Sequence, residues 1–103
     1  MNEPLLRDKV EDALRTIFDP EIPVNIYELG LIYKIQILEG NIVHVYMTLT
    51  APACPAAGEI LGEVETKVKA IEEVNEVEVR LTFDPPWDRE MMSDEAKLEL
   101  GWL

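Results

Sequence analysis

The sequence predicts an α+β fold: a two-layer sandwich in which a small three-stranded sheet carries both main helices on one face, in the order helix, strand, strand, helix, strand, short helix. Three observations carry this expectation. Apolar residues recur at helical spacing in two segments and alternate in three others, and each periodic segment has a single apolar face that a second layer must cover. A chain of 103 residues, 48% hydrophobic and 29% charged, is of single-domain length and ordinary globular composition, so one domain spanning 1–103 is expected.

The first helix follows from Leu6, Val10, Ala13, Leu14 and Ile17, which form one apolar stripe. Pro4 suits a first helical position, and Asp19-Pro20 is expected to end the element because proline pushes the preceding residue out of the helical region. Residues 31–38 alternate Leu31, Tyr33, Ile35 and Ile37 against Ile32, Lys34 and Gln36. Glu39-Gly40-Asn41 is turn chemistry. Residues 42–50 then alternate Val43, Val45, Met47 and Leu49 against Ile42, His44, Tyr46, Thr48 and Thr50, which predicts an antiparallel hairpin.

From Pro55 the period lengthens: Ala57, Ile60, Leu61, Val64, Val68 and Ile71 share one face and charged residues the other, a second helix. Residues 76–83 return to alternation, with Val77, Val79, Leu81 and Phe83 on one side. A right-handed crossover makes this third strand parallel to the second, without fixing which strand it pairs beside. Asp84-Pro85-Pro86-Trp87 must break it. Ser93 is the expected N-cap of a short helix over 94–100, which Gly101 stops.

The formal net charge is −12, from 21 acidic and 9 basic residues. Such a field repels phosphate backbones and anionic bilayers, so neither nucleic acid nor membrane is an expected partner. No apolar run approaches the roughly 20 residues a membrane helix needs. The N-terminus lacks signal-peptide character, and a lone cysteine forms no internal disulfide; a cytoplasmic protein is the expectation.

That cysteine, Cys54, lies between Pro52 and Pro55 where strand periodicity gives way to helix periodicity. Being before proline biases it to extended backbone, which places it at or beside the N-cap of the second helix. The unpaired N–H groups there favour a thiolate. The alternative is a small buried hydrophobe, since free cysteine is often fully buried. His44 is a poor partner for it, because about ten strand residues span more than 30 Å. No zinc, dinucleotide or P-loop pattern occurs. Two acidic proline loops, one with Asp19 and Glu21 and one with Asp84 and Trp87, either terminate elements or present rigid carboxylates and an exposed indole to a partner or metal. Thr48 and Thr50 are expected on the outer sheet face with His44 and Tyr46, a face left to solvent or to an interface.

Taken together, D-P-E-I-P-V-N-I-Y-E-L-G-L-I-Y (residues 19–33), M-T-L-T-A-P-A-C-P (residues 47–55) and F-D-P-P-W (residues 83–87) resemble the iron-sulfur assembly domain family that includes SufT, PaaD and the MIP-eighteen proteins. The motifs cover almost the whole chain, in the family's order. The resemblance implies an accessory factor that helps metal-sulfur clusters reach recipient apoproteins, an assembly factor rather than an enzyme, on an α+β fold. Its partners would be the assembly machinery and the recipients. The resemblance maps the family's reactive cysteine onto Cys54, its Asp-Pro-Glu motif onto Asp19 and Glu21, its threonine-bearing strand end onto Thr48 and Thr50, and its Asp-Pro-Pro-Trp loop onto Asp84 and Trp87. PaaD proteins carry a cysteine-bearing C-terminal extension that this chain lacks, which favours the short SufT-like form.

A cluster takes four thiolate-type ligands, and this chain offers one. The expected cofactor is therefore transient iron or a labile iron-sulfur cluster, held by Cys54 with Asp19, Glu21 or Asp84 as oxygen ligands, completed by a partner or small thiol, or bridged in a homodimer. Thr48, Thr50 and Trp87 are the expected partner contacts. Two competing readings are an adaptor with no metal of its own and a thiol enzyme using Cys54, the latter weakened by the lack of an evident base.

Overall fold

The computed structural model describes residues 3–19, 22–50 and 57–101. Its elements are α1 (Glu3–Leu14), β1 (Ile32–Leu38), β2 (Ile42–Met47), α2 (Ala57–Lys69), β3 (Glu76–Leu81), a 3-10 turn (Arg89–Met91) and α3 (Asp94–Glu99). The order is the expected one, and the fold is α+β.

The sheet order is β1-β2-β3, with β1 antiparallel and β3 parallel to β2. Val43, Val45 and Met47 of β2 are fully buried and meet Leu6, Val10 and Leu14 of α1 and Ile60, Val64 and Val68 of α2 in one core. Each such aliphatic side chain contributes about 1.5–3 kcal/mol when fully buried. The other face of the sheet holds Lys34, Gln36, His44, Tyr46, Glu78 and Arg80, which the register sets side by side.

What seats β3 beside β2 is a clamp of asparagine amides. Gly40 and Asn41, both at positive φ, turn the hairpin. The Asn41 side chain then donates to the Glu73 carbonyl at 3.0 Å, and Asn75 donates from its side chain to the Gly40 carbonyl at 2.8 Å and from its backbone to the Asn41 carbonyl at 3.0 Å. The crossover therefore lands where its own entry loop can grip the hairpin turn.

Three local expectations are corrected. α1 ends at Leu14, before Asp19-Pro20, because the last turn tightens and the chain then pairs with itself. The Thr16 and Ile17 amides donate to the carbonyls three residues back, and Phe18 bridges Asn25. Ile17 stays fully buried, so the stripe reported burial but not conformation. In β1, Ile32 faces Met47 and Lys34 faces Tyr46, which leaves Tyr33 as the extra residue of a bulge; Ile32, not Tyr33, packs against the core. β2 closes at Met47, and Thr48 is fully buried instead of sharing the outer face with His44 and Tyr46. Past the end of the strand the alternation no longer governs which side faces solvent.

Candidate functional site

Because β1 is antiparallel and β3 parallel to β2, the start of β1 and the ends of β2 and β3 lie at one end of the sheet. Three connections meet there: residues 15–31 entering β1, residues 48–50 leaving β2 and residues 82–93 leaving β3. Backbone bonds join them, from the Thr48 amide to the Leu31 carbonyl at 2.8 Å and from the Thr82 amide to the Met47 carbonyl at 2.9 Å. The carboxyl ends of parallel strands are where open sheets form ligand crevices.

The first connection is built from short-range polar bonds over an apolar underside. Asp19 is 4% exposed, and its Oδ1 accepts from the Ile22 amide at 3.0 Å while its own amide donates to the Val24 carbonyl. Asn25 starts a helical turn: its Oδ1 accepts from the Glu28 amide at 2.9 Å, and its carbonyl from the Leu29 amide. Gly30, at φ +83°, ends that turn. Val24, Ile26, Leu29 and Leu31 are all buried beneath it.

The third connection is fastened to the first. The Tyr33 hydroxyl donates to the Pro85 carbonyl at 2.7 Å, the Trp87 indole Nε1 donates to the Leu29 carbonyl at 2.8 Å, and the Ser93 amide donates to the Glu28 carbonyl at 2.9 Å. The Asp84-Pro85 bond is cis. A Cβ on Gly30 would lie 2.3 Å from the Met91 carbonyl oxygen, so the two backbones touch where only glycine fits. Ser93 caps α3, its hydroxyl accepting from the Ala96 amide at 3.1 Å.

Beside this junction Arg15 lies 4.3 Å over the Tyr27 ring and bonds to Glu28 at 3.3 Å. Burial pushes the Tyr27 phenol above its ordinary value, and the neighbouring Glu11 carboxylate pushes it further. Burial alone would lower the Arg15 guanidinium, but its hydrogen bond to Glu28 and the charges of Tyr27, Glu28 and Glu11 outweigh that and raise it. The pair holds the flank of the loop in one geometry.

Of the residues expected to bind metal, Cys54 and Glu21 lie outside the described residues, as does the expected helix start at Pro55. Asp19 is turned into its own loop, whereas Asp84 is exposed, its amide donating to the Thr82 hydroxyl at 3.2 Å. Among the described residues no three His, Cys, Asp or Glu side chains are grouped to hold a metal ion. Of the expected partner contacts, Thr50 is half-buried and Thr48 fully buried. Trp87 is half-buried against the core, with its N–H already engaged, and is not the exposed indole the loop composition suggested. The residues that join the loops are Tyr33, Gly30, Leu29 and Glu28, and all but Gly30 carry no signal of that role in the local sequence pattern. Gly30, amid the apolar residues of L-G-L, was the readable signal of a positive φ or a close approach.

Residues 7–80 match the model of a family described as iron-sulfur cluster assembly protein. Over its whole length the chain is 50% identical to an Fe-S protein maturation auxiliary factor of Porphyromonas gingivalis, itself covered in full. The chain belongs to the iron-sulfur cluster assembly protein family. A second member, the Fe-S protein maturation auxiliary factor SufT of Staphylococcus aureus, is 39% identical over 82% of this chain and 97% of its own. The crystal structure of a domain of unknown function from Bacillus anthracis superposes with a TM-score of 0.91 at 38% identity, covering 98% of this chain and 96% of that one. Membership makes this chain an accessory factor in iron-sulfur cluster assembly or delivery, with SufT among its relatives. The family model stops before the Asp-Pro-Pro-Trp loop, yet that loop is fastened to the matched region by the bonds just described. No helix among the described residues is long and apolar enough to cross a membrane.

Proposed function

We propose that this protein is a carrier rather than a catalyst: the Cys54 thiolate accepts iron or a labile iron-sulfur cluster and passes it to a recipient apoprotein. Asp84 and Glu21 serve as exchangeable oxygen ligands or docking charges, and Thr50 contacts the partner. Asp19, Thr48 and Trp87 act by shaping the end of the sheet, since their polar groups or their surfaces are already engaged in the fold. The observation that supports this reading is the fastening of the Asp84–Trp87 loop to residues 28–33 at the sheet end from which the chain runs on to Cys54. One sulfur cannot satisfy a cluster, so the remaining ligands come from the donor, the recipient or a small thiol. Incomplete ligation of that kind suits transfer better than storage.

The adaptor reading, in which the same end docks assembly partners without metal, draws on the engagement of Asp19 in its own loop. Anaerobic reconstitution with iron and sulfide separates the two. A carrier gives a cluster absorption band in the wild type that Cys54→Ser loses, together with defective recipient maturation in Cys54→Ser cells. No band in either form, with recipient maturation intact in the mutant cells, sinks the carrier and leaves the adaptor.

A further inference from the structure

The two edges of the sheet differ. β1 carries the bulge at Tyr33, and Arg7 of α1 lies against it, its guanidinium donating to the Ile35 carbonyl at 2.8 Å; both features blunt an edge. β3, the other edge, has neither proline nor bulge, and its pairing with β2 is regular over its whole length. Its apolar residues are poorly covered: Leu81 is 41% exposed and Val77 and Val79 are only half-buried, and Phe83, two residues beyond the strand, is 36% exposed. Such a strand is a template for another.

The direction of its free backbone groups follows from one bond. The Thr82 amide points at Met47 of β2, and alternate residues of a strand point opposite ways in the sheet plane, so Val77, Val79 and Leu81 present their N–H and C=O groups outward. The sequence E-V-E-V-R-L is complementary to itself in one antiparallel register. Centred on Val79, each Val79 faces the other, Val77 faces Leu81 of the second copy, and these pairs exchange both of their hydrogen bonds. Glu78 then stands opposite the second copy's Arg80, twice over, at the close-spaced positions where side chains meet. Centring on Glu78 would oppose two glutamates, and centring on Arg80 two arginines. Beside the strand, a groove of about 650 Å³ lined by Glu65, Thr66, Lys69, Ala70, Glu76 and Val77 stands open next to where Leu81 of the second copy would lie.

We propose that β3 is a homodimerisation edge: two copies pair β3 to β3 about a two-fold axis at Val79, forming one continuous sheet locked by reciprocal Glu78–Arg80 contacts. The partner is a second copy of this chain. Because the two β3 strands run in opposite directions, the loop ends of the two subunits lie at opposite ends of that sheet.

The test is charge exchange at two exposed positions, read by sedimentation equilibrium under reducing conditions so that Cys54 cannot cross-link. Wild type is expected at twice the chain mass. Arg80→Glu sets like charges against Glu78, and Glu78→Arg sets them against Arg80, so each variant alone is expected to be monomeric. Mixing the two restores opposite charges at both contacts and is expected to give the dimer again, as is the double variant. Circular dichroism checks that each variant is folded; should Glu78→Arg and the double variant not fold, having lost the contacts of Glu78 with His44 and with Arg80 of its own chain, wild type and Arg80→Glu still decide. Wild type that remains monomeric at NMR concentrations overturns the proposal. So does a dimer that Arg80→Glu leaves intact, or a failure of both the mixture and the double variant to associate.

Discussion

Replacing Gly30 with alanine tests the contact that holds the two motif loops together. The substitution does two separable things. At φ +83° any L side chain is strained by about 1–2 kcal/mol, and the new Cβ meets the Met91 carbonyl oxygen at 2.3 Å and its carbon at 2.8 Å. Both are backbone atoms, so no rotamer change relieves the clash, and the segment carrying Met91 has to shift. That shift strains the Ser93–Glu28 and Trp87–Leu29 hydrogen bonds, each contributing about 1 kcal/mol. The expected total is about 3 kcal/mol, or roughly 10–20 °C in midpoint for a domain of this size. Gly40→Ala is the internal control: its φ is +84° but a Cβ there meets nothing within 4 Å, so it should lose only the backbone part, about 1–2 kcal/mol. Urea and thermal unfolding followed by circular dichroism measure the difference. A lower urea m-value in Gly30→Ala would report that the C-terminal segment has come away in the native state. Equal losses in the two variants would mean that the Gly30–Met91 approach plays no part in fastening the loops.

Trp87→Phe keeps the ring's apolar contact but leaves the buried Leu29 carbonyl without its 2.8 Å donor, and should lower stability by about 1–2 kcal/mol in urea unfolding. Glu73 sits below its ordinary value, first because Lys9 bonds to it and then through a backbone hydrogen bond. A depressed carboxylate stabilises above its unfolded value and loses that contribution as pH falls through the folded one; Lys9→Met should move the Glu73 titration up towards the ordinary carboxylate range by carbon-detected NMR, with the backbone hydrogen bond holding back part of the shift. For Tyr27 the sign is opposite: the raised phenol stabilises the fold below its unfolded value, and this is lost as pH rises towards the folded one. Glu11→Gln should bring Tyr27 ionisation, followed by ultraviolet difference absorbance, down towards the ordinary phenol value without abolishing the shift, because burial is the larger cause.

The parts of the fold legible in the sequence were those set by local chemistry. Alternation located the three strands, the Gly40-Asn41 turn made the hairpin, and Ser93 capped its helix as expected. Where the outcome depended on a distant partner, periodicity was silent or misleading. The strand beside which β3 pairs is decided by Asn41 and Asn75, which bond across the crossover. Burial of Thr48 and displacement of Tyr33 depend on how the loops close over the end of the sheet. The site was legible as three motifs but not as one place. That Asp-Pro-Pro-Trp serves as a fastening follows from the Leu29 and Tyr33 bonds, made to residues more than fifty positions away, and indole composition alone cannot tell an anchor from a docking surface.

The proposed edge pairing of β3 constrains the proposed carrier role, in which one thiol handles a cargo that takes four ligands. A cluster bridged across a dimer needs the two Cys54 thiols brought together, and the proposed pairing about Val79 sends the ends of the two β2 strands, from which the sequence leads to Cys54, to opposite ends of the sheet. Each subunit then has to load separately, with its missing ligands drawn from a donor, a recipient or a small thiol. Iron and sulfide taken up per chain, in the presence of glutathione, should therefore be the same in monomeric Arg80→Glu as in wild type, and should vanish in Cys54→Ser in either background. Loading that falls in proportion to the loss of dimer would mean that the cargo bridges two chains, and the two-fold axis would then have to lie near the loops and not at Val79.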